Sequence, residues 1–221
     1  KGNCEISALA GAASKSVFEL TLPEFHYAKA TVKVNNEVKT PKTEGGNVYE
    51  ITSGHAGDVV ITFAPIDENY FKKSGTESKT IKGDLAGDTE IAATDFTGLE
   101  FAKIIAKIVV ESETKNFNSL DAAVDSPLAL TADIMLVADT IETFGIDNAV
   151  TFVNADAGNS VVVGGAITIN AGGSLTIKSG CYTNKFDGVG VLALEGGLFT
   201  MQQEVAQVRL LIRIVFGNDD I

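Results

Sequence analysis

Carboxylates are the side chains in the second half of the chain that have suitable chemistry for catalysis. Hydrolysis of a glycosidic bond needs two of them, one on each side of the scissile bond. The candidates are scattered along the sequence: Asp133, Asp139, Asp147, Asp156 and Asp187. No two of these are adjacent, and the adjacent pair Asp219-Asp220 lies at the end of an atypical tail. The carboxylates therefore do not predict a hydrolase.

The other groups that catalysis would need are also missing from the sequence. No histidine follows His55, and the two arginines, Arg209 and Arg213, both lie in the tail. A lyase needs a cation to stabilise a carbanion, together with a base. The glycines of Gly188-Val189-Gly190 belong to no dinucleotide-binding fingerprint or phosphate-binding loop, and there is no nucleophile elbow. We predict that the chain is not an enzyme.

One group of neighbouring side chains could bind a metal ion. Asn154, Asp156 and Asn159 could bind calcium through their side-chain oxygens, but these residue types also favour turns for local reasons. The two cysteines, Cys4 and Cys181, form no zinc-binding pattern with the histidines. They could form one disulfide in an oxidising compartment, although we expect two unpaired thiols. We expect no cofactor, with calcium as the one candidate ion.

Aromatic and imidazole side chains of the first half offer a second kind of chemistry, the stacking and binding of a ligand. The aromatic residues are Phe25, Tyr27, Tyr49, Tyr70 and Phe71. They could form a platform for a sugar, but aromatic residues more often fill a core, and the chain has no tryptophan. The loop histidines, His26 and His55, could contact a ligand, although we expect both to be solvated.

The net charge excludes one class of partner. The formal charge is −12, which repels phosphate backbones, so we expect no nucleic-acid binding. No apolar run approaches the ~18 residues that a membrane span needs. The chain opens at Lys1 without a methionine, and we expect that an upstream segment has been removed.

A glycine-punctuated repeat organises the second half of the chain, and its clearest copies lie in Gly164–Ile177. Gly165, Ile167, Thr168 and Ile169 recur as Gly173, Leu175, Thr176 and Ile177, and again as Gly197, Phe199, Thr200 and Met201. Side chains alternate across a strand, so the apolar residues of each copy face inward. Such a short strand cannot bury its apolar face alone, and we expect the copies to stack on one another in a parallel solenoid. Its outer faces would present polar side chains to a ligand: Thr168, Asn170, Thr176 and Lys178.

Short alternating strands characterise the first half of the chain. Val32 and Val34 precede Asn35-Asn36, a pair that suits a two-residue hairpin turn because Asn tolerates positive φ. Val59, Ile61 and Phe63 alternate in the same way. Strands recurring about every ten residues are typical of an antiparallel sandwich. The sequence therefore predicts an all-β protein, with an immunoglobulin-like β-sandwich over 1–97 and a short right-handed parallel β-helix over 98–221.

The last segment, 202–221, differs from the rest of the chain. It contains every glutamine and every arginine of the sequence. Either it caps the open end of the solenoid, or it is a non-native tail produced by a shifted reading frame.

The stretch Ser119–Thr200 resembles glycine-rich right-handed β-helix segments of bacterial cell-surface proteins. Leu128–Ile134 and the Gly-Gly-x-x-Thr-[Ile/Met] copies carry the resemblance. With the preceding sandwich, the chain looks like exported surface proteins of gut Bacteroidetes, some of which bind polysaccharide. The resemblance implies an extracellular or cell-surface protein that acts in adhesion or binds a polysaccharide or a host or partner surface protein. The alternatives are a structural fibre subunit of a phage or surface layer and, second, a polysaccharide lyase or hydrolase.

Overall fold

Strands account for most of the secondary structure in the computed structural model, which confirms the all-β class. The structure describes residues 17–55, 57–155, 160–163, 165–179, 181–183, 191–193, 196–201, 207–209 and 212–214. The chain divides into two compact units, Lys1–Ala102 and Lys103–Ile221. The expected boundary was between residues 97 and 98. Cys4 lies outside the described residues, as does the side chain of Cys181.

The first unit contains two main sheets. Its strands are β1 (Val17–Thr21), β2 (Ala28–Val34), β3 (Glu37–Lys39), β4 (Val48–Thr52), β5 (Val59–Pro65), β6 (Tyr70–Ser74), β7 (Ser78–Ile81), β8 (Thr89–Glu90) and β9 (Glu100–Lys103). One sheet has the order β4-β1-β8 and the other the order β3-β2-β5-β7, while β6 pairs with β9. A single 3-10 turn, Ala93–Asp95, precedes β9.

The two main sheets share one buried core. Leu20 and Ile51 come from the first sheet, and Val32 and Ile61 from the second. The hairpin between β2 and β3 confirms the predicted turn: Val34 pairs with Glu37, and the intervening Asn35 and Asn36 have positive φ.

The aromatic side chains of the first unit fall into two groups. Phe25, Phe63 and Phe96 pack edge to face, with ring centroids 4.8 to 5.8 Å apart, in the arrangement that aromatic pairs prefer. Tyr27 instead stacks on Tyr70 at 4.5 Å and is 47 % exposed. The five aromatic residues of the predicted sugar platform therefore do not form one surface.

The second unit begins with antiparallel strands and continues with parallel ones. Its elements are β10 (Ala106–Val110), β11 (Glu113–Phe117), α1 (Leu120–Val124), a 3-10 turn (Pro127–Leu130), β12 (Ile134–Leu136), β13 (Phe144–Ile146), β14 (Ala149–Asn154), β15 (Ser160–Val162), β16 (Ile167–Ile169), β17 (Ser174–Ser179), β18 (Cys181–Thr183), β19 (Val191–Ala193), β20 (Leu198–Met201), β21 (Gln207–Arg209) and β22 (Ile212–Ile214). β10 pairs antiparallel with β11 and β12. Every later pairing among the described strands is parallel.

The parallel strands form three sheets that the chain visits in a repeating order. The orders are β11-β10-β12-β14-β17-β20, β15-β18-β21 and β13-β16-β19-β22. β14, β15 and β16 therefore enter the three sheets in turn, and β17, β18 and β19 enter them again. β21 and β22 continue two of these sheets, so the described part of the tail pairs with the preceding strands.

The predicted interior is confirmed, and the predicted pairing of copies is confirmed for the second and third copies but not for the first. Ile167, Ile169, Leu175 and Ile177 are all 3 % exposed or less. The first copy lies in β16 and the second in β17, which belong to different sheets. Leu175 instead pairs with Phe199, 24 positions further along. The chain changes sheet at the turn between the two copies, where Gly172 has a φ of +84°.

Candidate binding groove

The structure separates the four polar residues that the sequence predicts as binding residues. Thr176 and Lys178 lie on β17, whereas Thr168 lies on β16 and Asn170 follows that strand. The two strands belong to different sheets. Thr176 and Lys178 can therefore contribute to one surface, and Thr168 and Asn170 to another.

Three threonines form a row on the outer face of the largest sheet. Thr151 pairs with Thr176, and Thr176 pairs with Thr200. The flanking residues Val150 and Leu175 are buried, so the threonines between buried positions point outward. Neighbouring strands are about 4.8 Å apart. The row therefore presents one hydroxyl group on each successive strand of the sheet.

A groove of about 260 Å³ runs beside the first two threonines. One wall is the outer face of β14 and β17, and the other is the segment that leads into β12. The polar lining consists of Thr131, Asp133, Thr151, Ser174 and Thr176.

Local hydrogen bonds hold the second wall of the groove in place. Ser126 caps the 3-10 turn, because its hydroxyl accepts from the Leu128 N–H at 3.4 Å. At the other end, the Thr131 hydroxyl donates to the Leu128 carbonyl at 3.2 Å. The turn is therefore closed at both ends by its own sequence, in the manner of helix caps.

An ion pair crosses the sheet next to the groove. Lys178 Nζ lies 2.8 Å and 3.0 Å from the two carboxylate oxygens of Asp133. The register between β14 and β17 shifts here, since Phe152 pairs with Ile177 and Val153 with Ser179. Lys178 is therefore the extra residue of a β-bulge, a feature that redirects a side chain. Both partners are about 40 % exposed, at 42 % and 36 %, so the pair orders the surface more than it stabilises the fold.

The calcium hypothesis is not tested by the structure. Asn154 ends β14 and is 8 % exposed, while Asp156 and Asn159 lie outside the described residues. In the described part of the chain, no three His, Cys, Asp or Glu side chains come together as metal ligands would.

Glu142 occupies a polar cluster that the sequence does not reveal. Its carboxylate accepts hydrogen bonds from the hydroxyls of Ser119 and Thr140 and from the N–H groups of Leu120 and Asp121, at 2.7 to 3.2 Å. Burial, the largest single influence, raises the pKa of Glu142, but the four hydrogen bonds together hold that pKa below its ordinary value. The ionised carboxylate of Glu142 therefore holds the start of α1 in place, although the two are 22 positions apart in the chain.

The other polar candidates serve local contacts. The Asn170 amide donates to Asp147 at 2.7 Å. His26 is exposed, as expected, but the prediction that His55 is solvated is wrong. The side chain of His55 is 9 % exposed, and its Nε2 lies 3.0 Å from an Asp84 carboxylate oxygen.

No protein-family model, no curated protein and no solved structure matches this chain. Among the helices of the described residues, none has the length and apolar character that crossing a membrane requires.

Proposed function

We propose that this chain is a non-catalytic, exported surface protein that binds polysaccharide along the groove beside Thr151 and Thr176. In this proposal the first unit is an immunoglobulin-like sandwich and the second a short right-handed parallel β-helix. Cell-surface location and a role in adhesion follow from the resemblance to bacterial surface proteins. A host or partner surface protein is the other class of ligand that such a role implies.

The architecture is supported by the order of the strands. Two sheets that share a core suit a sandwich. Three sheets that receive successive parallel strands in a repeating order suit a β-helix, in which each turn covers the one before it. The right-handed sense is expected because crossovers between parallel strands are right-handed in nearly all proteins.

The row Thr151–Thr176–Thr200 is the observation that carries the binding proposal. A polysaccharide repeats along its length and presents hydroxyls that both donate and accept hydrogen bonds. Threonine hydroxyls can do the same, and parallel stacking repeats them at a constant spacing. The charges of Asp133 and Lys178 neutralise each other next to the row. This arrangement suits a neutral, elongated ligand better than a strongly charged one.

The proposal of a non-catalytic role is supported by the state of the carboxylates. Asp133 is paired with Lys178, and Asp147 accepts from Asn170. Among the described residues, Asp133 is the one carboxylate in the groove lining, whereas glycoside hydrolysis uses two that face each other.

A fibre subunit remains the second candidate, because β20, β21 and β22 each pair on only one side among the described residues. An open end of this kind could accept another chain. Sedimentation would distinguish the two roles, since a fibre subunit assembles end to end and a simple binding protein does not.

The test compares two threonines that occupy equivalent positions on neighbouring faces. Thr176→Val removes a hydroxyl from the groove, and Thr168→Val removes one from a different sheet. On an array of plant and host polysaccharides, we expect wild type and Thr168→Val to bind the same glycan. We expect Thr176→Val to bind it about five- to tenfold more weakly, as the loss of one hydrogen bond predicts. Equal binding by the two variants would place the site elsewhere, and failure of the wild type to bind any glycan would contradict the proposal.

Reducing-sugar and absorbance assays on uronic-acid polymers test the second alternative. We expect no product above the protein-free control. Product formation that Asp133→Asn abolishes would instead establish a lyase or hydrolase.

A further inference from the structure

The first unit contains a strand with one unpaired half. β2 runs from Ala28 to Val34 and pairs with β5 along its whole length. On its other side, β3 covers only Val32–Val34. No strand among the described residues pairs with Ala28–Thr31 on that side, because the chain leaves the sheet after β3 and Pro41 forms a bridge with Tyr49 of β4.

Two residues of this half-strand, Ala28 and Ala30, direct backbone groups away from β5. The Phe63 N–H donates to the Glu77 carbonyl at 2.8 Å, on the side of β7. Phe63 is directly opposite Ala30. Because the N–H of Phe63 points to β7, the pair of Phe63 and Ala30 is not hydrogen-bonded, and the Ala30 N–H and C=O face the open side of β2. Pro65, which has no N–H, is opposite Ala28, and the Ala28 carbonyl faces the same way. The Ala28 N–H is engaged by the Phe25 carbonyl at 3.3 Å.

A groove of about 440 Å³ lies along this open edge. Ala28 and Ala30 form one side of it, and Pro41 and Asn47 line it as well. Its apolar lining includes Phe63, which is 4 % exposed. The edge is therefore not simply exposed to bulk water, but faces a recess with apolar walls.

The charge beside the edge indicates which partner fits. Lys29 lies between Ala28 and Ala30, is exposed, and points to the opposite face of the sheet from the alanines. Lys33 lies on the same face, and neither lysine forms an ion pair within the described residues. Lys29 and Lys33 therefore place two positive charges without an ion-pair partner in the described part of the chain on this face of β2, whereas Glu24 lines the groove itself.

We infer that this groove is a binding site for an extended peptide that adds a strand to the β3-β2-β5-β7 sheet beside Ala28–Thr31. The peptide accepts a hydrogen bond from the Ala30 N–H and donates to the carbonyls of Ala30 and Ala28. Its alternate side chains are apolar where they face the groove and acidic where they lie next to Lys29. Main-chain hydrogen bonds supply the affinity in this mode of recognition, and the alternating side chains supply the specificity.

The experiment uses the whole chain and a short fluorescent peptide of alternating Glu and Val residues. Its control is the same peptide with methylated backbone amides, which cannot form a strand. By fluorescence anisotropy, we expect the methylated peptide to bind at least about tenfold more weakly than the unmodified one. We expect hydrogen exchange of the Ala30 amide to slow by at least about tenfold when the unmodified peptide binds, while that of Thr31, which faces β5, stays unchanged.

Two lysine variants give a matched test of the charge. Lys29→Glu adjoins the open edge, and Lys33→Glu lies on the same strand where β3 already pairs with it. We expect the first to weaken binding about two- to fivefold and the second to change it less than about twofold, as for exposed ion pairs. Ala30→Pro removes the open N–H, which the peptide needs as a donor, and should therefore abolish binding. We expect this variant to fold, because proline is tolerated in a strand where the missing N–H faces an unpaired edge. If this variant does not fold, the methylated peptide and the lysine variants still decide the question.

Several results would overturn the inference. The first is failure of the wild-type protein to bind the unmodified peptide, and the second is binding of the methylated peptide as tightly as the unmodified one. The third is a rate of hydrogen exchange at the Ala30 amide that the unmodified peptide does not change. Protection of the Ala30 amide that rises with protein concentration without peptide would also overturn it, because the occupant would then be a second copy of this chain.

Discussion

Replacement of Gly173 by alanine tests whether the turns of the second unit are packed as closely as the structure indicates. Gly173 immediately precedes β17, and its N–H donates to the Asn170 carbonyl at 2.9 Å. Its φ is not positive, so backbone strain does not require glycine here. A Cβ at this position would instead lie 2.1 Å from the Ile146 carbonyl oxygen and 2.9 Å from its carbon.

The size of the effect follows from these distances. An ordinary contact begins at 3.4 Å, so the Ile146 carbonyl or β17 would have to move by about 1.3 Å. The carbonyl also accepts the Asn170 N–H at 2.9 Å, so movement of the carbonyl strains a second hydrogen bond. Overpacking of this kind lowers the free energy of unfolding by about 1–3 kcal/mol. Alanine also reduces the conformational entropy of the unfolded chain, which raises the free energy of unfolding by about 0.4–1 kcal/mol. We expect Gly173→Ala to lower the free energy of unfolding by about 1–2 kcal/mol.

Urea unfolding followed by far-UV circular dichroism measures this change, because the chain has no tryptophan to report it. Hydrogen exchange then assigns the loss to the second unit. Gly145→Ala is the matched control, because its nearest neighbour, the Asn170 amide nitrogen at 3.1 Å, would have to shift by only about 0.3 Å to reach an ordinary contact. Gly87→Ala meets nothing within 4 Å and should be neutral or slightly stabilising. If Gly173→Ala is no more destabilising than Gly145→Ala, the close approach to Ile146 does not exist and the stacking argument fails.

Three further predictions concern charge and packing. Glu142→Gln should lower the unfolding free energy by about 1–3 kcal/mol, because a charged acceptor of four hydrogen bonds is lost. The pKa of Glu142 is lower in the folded than in the unfolded chain, so its stabilisation is present above about pH 4.5, its ordinary value, and disappears as the pH falls through the folded pKa. Urea titrations at several pH values should show this loss in wild type and not in Glu142→Gln, and a parallel loss in both would refute the assignment. Phe96→Ala should cost about 3–5 kcal/mol, since Phe96 is 1 % exposed and packs against Phe25 and Phe63; a loss below about 1 kcal/mol in the same assay would contradict its place in the core. Asp133→Asn should cost less than about 1 kcal/mol, and the difference from wild type should shrink in high salt; a larger, salt-independent loss would mean that the ion pair is structural.

The sequence alone determined the strands and their inward faces. Alternation of apolar and polar residues is a local property, so Ile167, Ile169, Leu175 and Ile177 could be assigned to the interior before any partner strand was known. The turn at Asn35-Asn36 was equally predictable, because the tolerance of asparagine for positive φ does not depend on the rest of the fold.

The partner of each strand was decided only by the tertiary structure. The repeat of Gly165, Gly173 and Gly197 indicated that copies pair with one another but not which ones. The chain passes through all three sheets before it returns, so Leu175 pairs with Phe199. The same path joins Lys178 to Asp133, 45 positions apart, and aligns the threonines of the groove. The hydrogen-bond partner of a parallel strand depends on how many residues the chain uses before it returns to the same sheet. That number is set by the packing of all the strands together rather than by any one segment.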